Sequence, residues 1–372
     1  MSLQISISNS IKGSSRNSTG VAPSNVIAPL ISGVTVVGYS LSTTNGSWIG
    51  ESPITYTYQW YRGATLITGE TSSSYTLVNA DEGQSMTCVV TATNAYGFSS
   101  ATSNSLTVVS LLLDLYTSSA VAYSLRQLRT AYTGAAIRVR RSSDNAEQDI
   151  NFVSGNLDTA SLLTFCGAGN GFITTWYDQS GNANNANQPT LLASQAQIVS
   201  SGSLILDADT SKITSTWTAD RYDLTTGIST NTKYLSISMF RRGATTADVL
   251  THLGNSAATS PNTLLWTGTG SSYSVRNSMP TLLAFQNVST TGRCIITSLK
   301  NAANLKVAYR NGVQLTSTAT EAPAAGTLNV FGQVSTTNFT SGQYQEYIYW
   351  NSEQSANRTA IENNIKTYWN AY

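Results

Sequence analysis

Charge is scarce in this chain. Only 10% of its 372 residues are Asp, Glu, Lys or Arg, against ~25% in an average soluble protein. The formal net charge of +1 provides no field to steer the protein towards nucleic acid or an anionic membrane. Acidic metal clusters and highly charged coiled coils are excluded on the same ground. Cysteine is scarce too. Cys88, Cys166 and Cys294 are too few and too scattered for a disulfide framework or a zinc site, and are expected as reduced core residues. No apolar run approaches the ~18 residues needed to span a bilayer, so no membrane insertion is expected. No cofactor is implied. What is abundant is Ser, Thr, Asn and Gln, with 19 Tyr and 7 Trp. Hydrophobic residues still make up 40%, which argues against disorder and for a β-rich, uncharged, multidomain protein with an outward-facing binding surface.

Residues 1–30 read as a tail. Leu3, Ile5 and Ile7 alternate with Gln4, Ser6 and Ser8, a short strand rather than the continuous apolar stretch of a secretory signal. Gly13 to Gly20 is a flexible stretch, and Pro23 and Pro29 punctuate an extended connection. Such a segment gains too little burial to order itself. Leu3, Ile5 and Ile7 are therefore expected to anchor the chain to another protein by adding a strand to a sheet edge.

From 31 to 110, short alternating runs at roughly 8–12-residue spacing predict a β-sandwich. The Tyr58-Gln59-Trp60 run, Asp81-Glu82-Gly83 and Cys88 resemble the immunoglobulin-like fold, in which a Trp packs in the core and an Asp-x-Gly turn leads into a later strand. No Cys precedes Trp60, and Met86 stands where that fold usually has a corner Tyr.

The second domain is expected over 111–372. Val121, Leu125, Leu128 and Tyr132 recur at helical spacing and predict a helix. A short helix from Asp158 to Cys166, a hairpin turn at Asn311-Gly312 and a closing helix over 355–369 are read from their capping and turn residues. The rest reads as strands. The fold class is all-β, with an Ig-like β-sandwich followed by a larger concanavalin A-like jelly-roll sandwich with a few short helices.

Specific motifs lie in this second domain. Ala122 to Arg129, Ile137 to Asp144, Leu157 to Ala160 and above all Thr175-Trp176-Tyr177-Asp178-Gln179-Ser180-Gly181-Asn182 resemble the arabinofuranosidase B catalytic-domain family. The closing run Gln343 to Trp350 with its helix resembles concanavalin A-like and laminin-G-like domains. The resemblance implies a lectin-type sandwich and retaining glycosidase activity, which needs two carboxyl groups ~5 Å apart. In the family the nucleophile is a Glu on a mid-domain strand and the acid/base an Asp in a loop before the last strand. The corresponding stretches, Pro261 to Trp266 and Phe331 to Thr336, contain no acid, and none occurs between Val249 and Thr320. The expectation is a glycosidase-like scaffold without its enzyme.

Other chemistry is sparse. Asp178 to Asn182 reads as a structural turn. Asp207 and Asp209 make a poor cation cage, and Arg138, Arg140 and Arg141 are expected to pair with Asp144, Glu147 or Asp149 at the surface. A saccharide site combines a flat aromatic with amide and Arg donors, for which Trp266, Tyr273, Arg276, Asn255 and His252 form the expected set. Ig-like and lectin-like modules without a signal peptide or disulfides suit a tailed-phage particle. The functional expectation is a phage virion structural or decoration protein displaying a carbohydrate-binding domain. Its expected partners are other virion proteins, a cell-surface glycan and further copies of itself in the particle, but no nucleic acid. The alternatives are an active retaining arabinofuranosidase-like hydrolase and a bacterial surface adhesin.

Overall fold

The computed structural model describes residues 20–371, apart from 219, 230–232, 243–248, 255–263, 270–271, 277–282, 286–292, 302, 304, 315–318, 321–326 and 333–340. Within 249–285 the description is of backbone strands alone. Leu3, Ile5 and Ile7 lie outside the described residues. The chain divides into two compact units, Met1–Val109 and Ser110–Tyr372.

The first unit is built from short antiparallel strands. Thr55–Arg62 pairs with Ser85–Asn94, which in turn takes Gly97–Thr102 and Leu106–Thr107 on its other side. A second sheet joins Ile31–Gly33, Ser40–Thr43 and Ser74–Thr76. Trp60 faces Cys88 across the first ladder, and both are fully buried with Leu41, Tyr75 and Val90. Asp81 is buried beside them. Its carboxylate accepts from Arg62 Nε at 2.6 Å, Tyr75 OH at 2.8 Å and Val78 N at 2.8 Å. One boundary differs from the sequence reading. Ser24–Ile27 is a strand paired with Ser47–Ile49, so the first unit takes in chain well before the expected start at 31. Pro23 and Pro29 flank this strand, and proline is tolerated beside an edge strand, where no ladder donor is lost.

The second unit is all-β with few helices. One sheet runs through Ser119–Ser124, Ser341–Trp350, Tyr234–Arg242, Arg293–Lys300 and Leu305–Arg310. The other runs through Glu147–Ile150, Ile137–Arg141, Gly171–Trp176, Ala186–Asn187, Arg221–Ser229 and Thr327–Gly332, and continues to Val249–Gly254, Leu264–Thr269 and Ser272–Arg276. Aromatic rings fill the space between them. Phe331 of the second sheet meets Tyr123 at 5.1 Å and Tyr347 at 5.4 Å, both from the first. A register shift beside Gln345 lets Tyr344 join Tyr347 on this inner side. Glu346 points the other way, to the closing helix Arg358–Trp369, where Trp369 Nε1 donates to it at 2.9 Å. Arg126 Nε meets the same carboxylate at 2.7 Å.

The helix expected from 121 to 132 is not formed. Ser119–Ser124 is a strand against Ser341–Trp350, buried along nearly its whole length. A segment buried on both faces carries no distinguishing period, and here tertiary bonds decide. Asp178 Oδ1 accepts from Ala122 N at 2.9 Å and Ser180 N at 2.9 Å, and Oδ2 from Ser180 Oγ at 2.7 Å and Asn184 N at 3.0 Å. Gln179 accepts from Leu128 N at 2.7 Å and donates to Ser124 O at 3.1 Å and Arg126 O at 3.0 Å. Asn182 Nδ2 reaches Ser119 O at 2.9 Å. The stretch 178–182 thus holds the chain from 119 to 128 in place.

Two stability predictions follow from these contacts. Asp178→Ala strands three backbone N–H groups, and should cost on the order of 3 kcal/mol or more in denaturant unfolding. Gly332 has φ +100°, and a Cβ there would lie 2.4 Å from Asp220 O and 2.7 Å from Trp217. Gly332→Ala should therefore lower stability by about 2 kcal/mol or more, visible as a reduced urea midpoint with an unchanged slope.

Candidate active site

Most acids of the second unit are committed to structural ties. Asp158 caps the helix Thr159–Cys166 by accepting from Ser161 N at 3.0 Å. Asp207 meets Arg293 Nε at 3.0 Å and Asp209 meets Arg241 Nη1 at 2.6 Å, so both serve arginines. Glu362 accepts from Thr297 Oγ1 at 2.5 Å. No group of three potential metal ligands occurs among the described residues.

Asp220 is different. It is 1% exposed, and its one hydrogen bond among the described residues comes from Thr218 N at 2.6 Å to Oδ2. No cation pairs with it there. Burial pushes its carboxyl up to about 7, only partly opposed by that bond. An isolated carboxylate in apolar surroundings is costly, so the group stays protonated to near neutrality. The chain on either side of it carries buried rings. Trp217 packs on Tyr222 at 5.3 Å, on Phe331 at 5.1 Å and on Tyr344 at 4.7 Å. The strand that Asp220 precedes pairs Arg221 with Gly332, and the absence of a side chain at Gly332 leaves room for the Asp220 backbone. Three residues on, Asp223 is exposed and ion-paired to Arg221 Nη2 at 2.9 Å.

The outer side of this sheet is polar. Arg138 meets Glu147 at 3.0 Å and Asp149 at 3.7 Å, and Arg141 meets Asp144 at 2.7 Å. Arg140 departs from the expected surface pairing. It is 7% exposed, lies 4.8 Å over the Phe172 ring and donates to Gln195 Oε1 at 2.8 Å and Asn145 Oδ1 at 2.7 Å. Burial lowers its pKa.

The expected saccharide set is only partly placed. His252, Trp266, Tyr273 and Arg276 belong to the strands Val249–Gly254, Leu264–Thr269 and Ser272–Arg276. The register pairs Trp266 with Val275 and Leu265 with Arg276, so Trp266 and Arg276 occupy ladder positions of opposite parity. Their side chains, and Asn255 altogether, lie outside the described residues. Sequence reasoning missed Asp220. The available signal was an acid directly after the apolar-polar run Ser215 to Thr218 and ahead of another strand, which marks a strand corner but not its burial.

Comparisons with known proteins bear on this region. Residues 114–233, which include Asp220, match the family described as "Alpha-L-arabinofuranosidase B, catalytic". A probable alpha-L-arabinofuranosidase B of Aspergillus flavus is 43% identical over 65 residues, 17% of this chain and 13% of that relative. A solved GH54 α-L-arabinofuranosidase soaked with a cyclic sulfate inhibitor gives a TM-score of 0.50 at 15% identity, covering 68% of this chain and 64% of that one. An arabinofuranosidase complexed with arabinofuranosyl-alpha-1,2-xylobiose gives 0.51 at 14% identity over the same shares. The chain thus spans 64% of those solved chains and 13% of the curated relative, and at such identities the structural likeness is one of fold. These findings overturn the expected phage virion structural or decoration protein, because the matching family is a catalytic glycosidase family. The expected loss of the enzyme falls with it. Asp220, whose backbone carbonyl approaches Gly332 from the neighbouring strand, is a buried acid outside both stretches that expectation searched, Pro261 to Trp266 and Phe331 to Thr336.

Proposed function

We propose that this chain is a glycoside hydrolase of the α-L-arabinofuranosidase type, with Asp220 as its general acid. The observation that carries the reading is a buried carboxyl without a cation partner among the described residues, pushed up to about 7 by burial, inside the segment that matches the catalytic family. A glycosidase needs one carboxyl that remains protonated to give its proton to the departing oxygen, and a second that is ionised. Asp220 suits the first role. The alternation of the strand turns Asp223, exposed beside Arg221, to the face opposite buried Tyr222, so the ionised partner is not taken from this strand. Burial of the carboxyl, opposed by one hydrogen bond among the described residues, keeps the proton on. The first unit is read as an immunoglobulin-like spacer, a reading supported by the buried Trp60 and Cys88 facing each other across adjacent strands.

Hydrolysis of two substrates tests this. The purified chain should release arabinose from arabinofuranosyl-xylobiose and 4-nitrophenol from the aryl arabinofuranoside. Asp220→Asn should lower kcat on the oligosaccharide ~10²–10⁴-fold, and much less on the aryl substrate, whose leaving group departs without a proton. The oligosaccharide rate should fall as pH rises above about 7, where Asp220 gives up its proton. An inactive wild type, or an Asp220→Asn variant as fast as wild type on both, would reject the reading.

A stability measurement checks the same carboxyl without catalysis. Its pKa in the folded protein, about 7, lies above its unfolded value of ~3.9. The folded state therefore binds more protons between these values, and stability falls as pH rises from about 4 to about 7. Each tenfold difference in proton affinity is worth ~1.4 kcal/mol, so the ionised group costs up to about 4 kcal/mol above pH 7. Asp220→Asn should flatten this decline in urea unfolding measured from pH 4 to pH 8.

A further inference from the structure

Behind Asp220 lies a chain of buried polar side chains that the proposed hydrolysis does not use. Gln188 is 3% exposed, Gln195 4% and Arg140 7%. Gln188 Nε2 donates to Arg221 O at 2.8 Å, while its Oε1 accepts from Leu191 N at 3.0 Å. Gln195 Nε2 donates to Gln188 O at 2.7 Å, and Arg140 Nε donates to Gln195 Oε1 at 2.8 Å. Arg140 Nη1 is tied in turn to Asn145 Oδ1 at 2.7 Å. The sequence of contacts runs from the strand Ile137–Arg141 to the backbone of the residue that follows Asp220. A second tie holds the next residue, as Tyr222 OH donates to Ile173 O at 3.0 Å and accepts from Ala196 N at 2.8 Å.

From this geometry we infer that Gln188 is a positioning residue for Asp220, backed by Gln195 and Arg140. Burying three polar side chains is unfavourable unless each is satisfied. Here their hydrogen bonds converge on the one strand end that carries the buried carboxyl. Arg221 N lies in the peptide plane of Asp220, and Arg221 O is gripped by Gln188. On the other side Gly332, which has no side chain, lets the Asp220 carbonyl approach its strand. With Arg221 held at its carbonyl by Gln188 and in the ladder by Gly332, the strand start keeps the carboxyl covered. Without Gln188, the chain at Asp220 and Arg221 is free to open and hydrate the group. The titratable group whose field meets Asp220 among the described residues is Tyr222, which stays neutral in its buried setting and does not move the corner. This role rests on the proposed use of Asp220 as the acid, but its test does not require turnover.

The experiment is a 13C NMR titration of the Asp220 carboxyl, its resonance assigned by its loss in Asp220→Asn. Gln188→Met should lower the titration midpoint by ~1 pH unit or more, towards that of a hydrated Asp. Gln195→Met, one bond further away, should lower it less and provides the measurement if Gln188→Met does not fold. Gln127→Met is the control, since Gln127 is similarly buried but bonds Arg129 O and Tyr132 O instead. An unmoved midpoint in a folded Gln188→Met protein overturns the inference, as does an equal shift in the Gln127 control. The expected shifts in a wild type that hydrolyses nothing would uphold the positioning and sink the hydrolase reading alone.

Discussion

The second unit depends on one buried carboxylate that is given enough donors. Asp178 accepts four hydrogen bonds, three of them from backbone N–H groups of Ala122, Ser180 and Asn184. Burial still pushes its carboxyl up, and these bonds pull against the shift. Through Asp178 and Gln179 the strand Ser119–Ser124 is fixed beside Ser341–Trp350, and Tyr123 is thereby presented to Phe331. The contrast with Asp220 is instructive. Both are acids buried in the same unit, but one is saturated with donors and the other receives a single N–H among the described residues. The donor count, rather than burial alone, separates a structural acid from one suited to proton transfer.

What could be read from the sequence was whatever is settled within a few residues. Asp158 caps its helix as expected because the bond is to Ser161, three residues on. Asn311 and Gly312 form the turn because both adopt positive φ, 52° and 79°, which that hairpin demands. Trp60 and Cys88 fall in strands with the alternation that named them. The misread elements are those decided at a distance. Ser119–Ser124 looked helical because Val121 falls on the helical spacing of Leu125, Leu128 and Tyr132, and partners more than fifty residues away, such as Asp178, made it a strand. Asp220 gave no local sign of its burial because the strand it precedes is paired with Thr327–Gly332, which arrives from the far end of the chain. Arg140 looked like its neighbours Arg138 and Arg141, yet only the ladder shows that it is covered.

The shortage of charge noted at the outset has a structural counterpart. Where many proteins place ion pairs, this one uses amides. Gln179, Asn182, Gln188 and Gln195 each satisfy backbone groups that would otherwise be buried unpaired. An amide carries donor and acceptor on one group and avoids the desolvation cost of an ion. Of the charges that remain inside, some are ion-paired, as Arg126 is with Glu346, and others are bonded to amides, as Arg140 is to Gln195 and Asn145.

That substitution has a consequence for how the protein meets its solution. Dissolved salt weakens attraction between charges over a Debye length of ~8–10 Å, but has little hold on a neutral amide bonded to a carbonyl. The amide ties across the second unit are therefore little touched by ionic strength, unlike ion pairs such as Arg126 with Glu346 and Arg293 with Asp207, and with a net charge of +1 the molecule presents almost no long-range field for ions to screen. Added electrolyte is felt at those pairs, and what the molecule recognises must be recognised at contact.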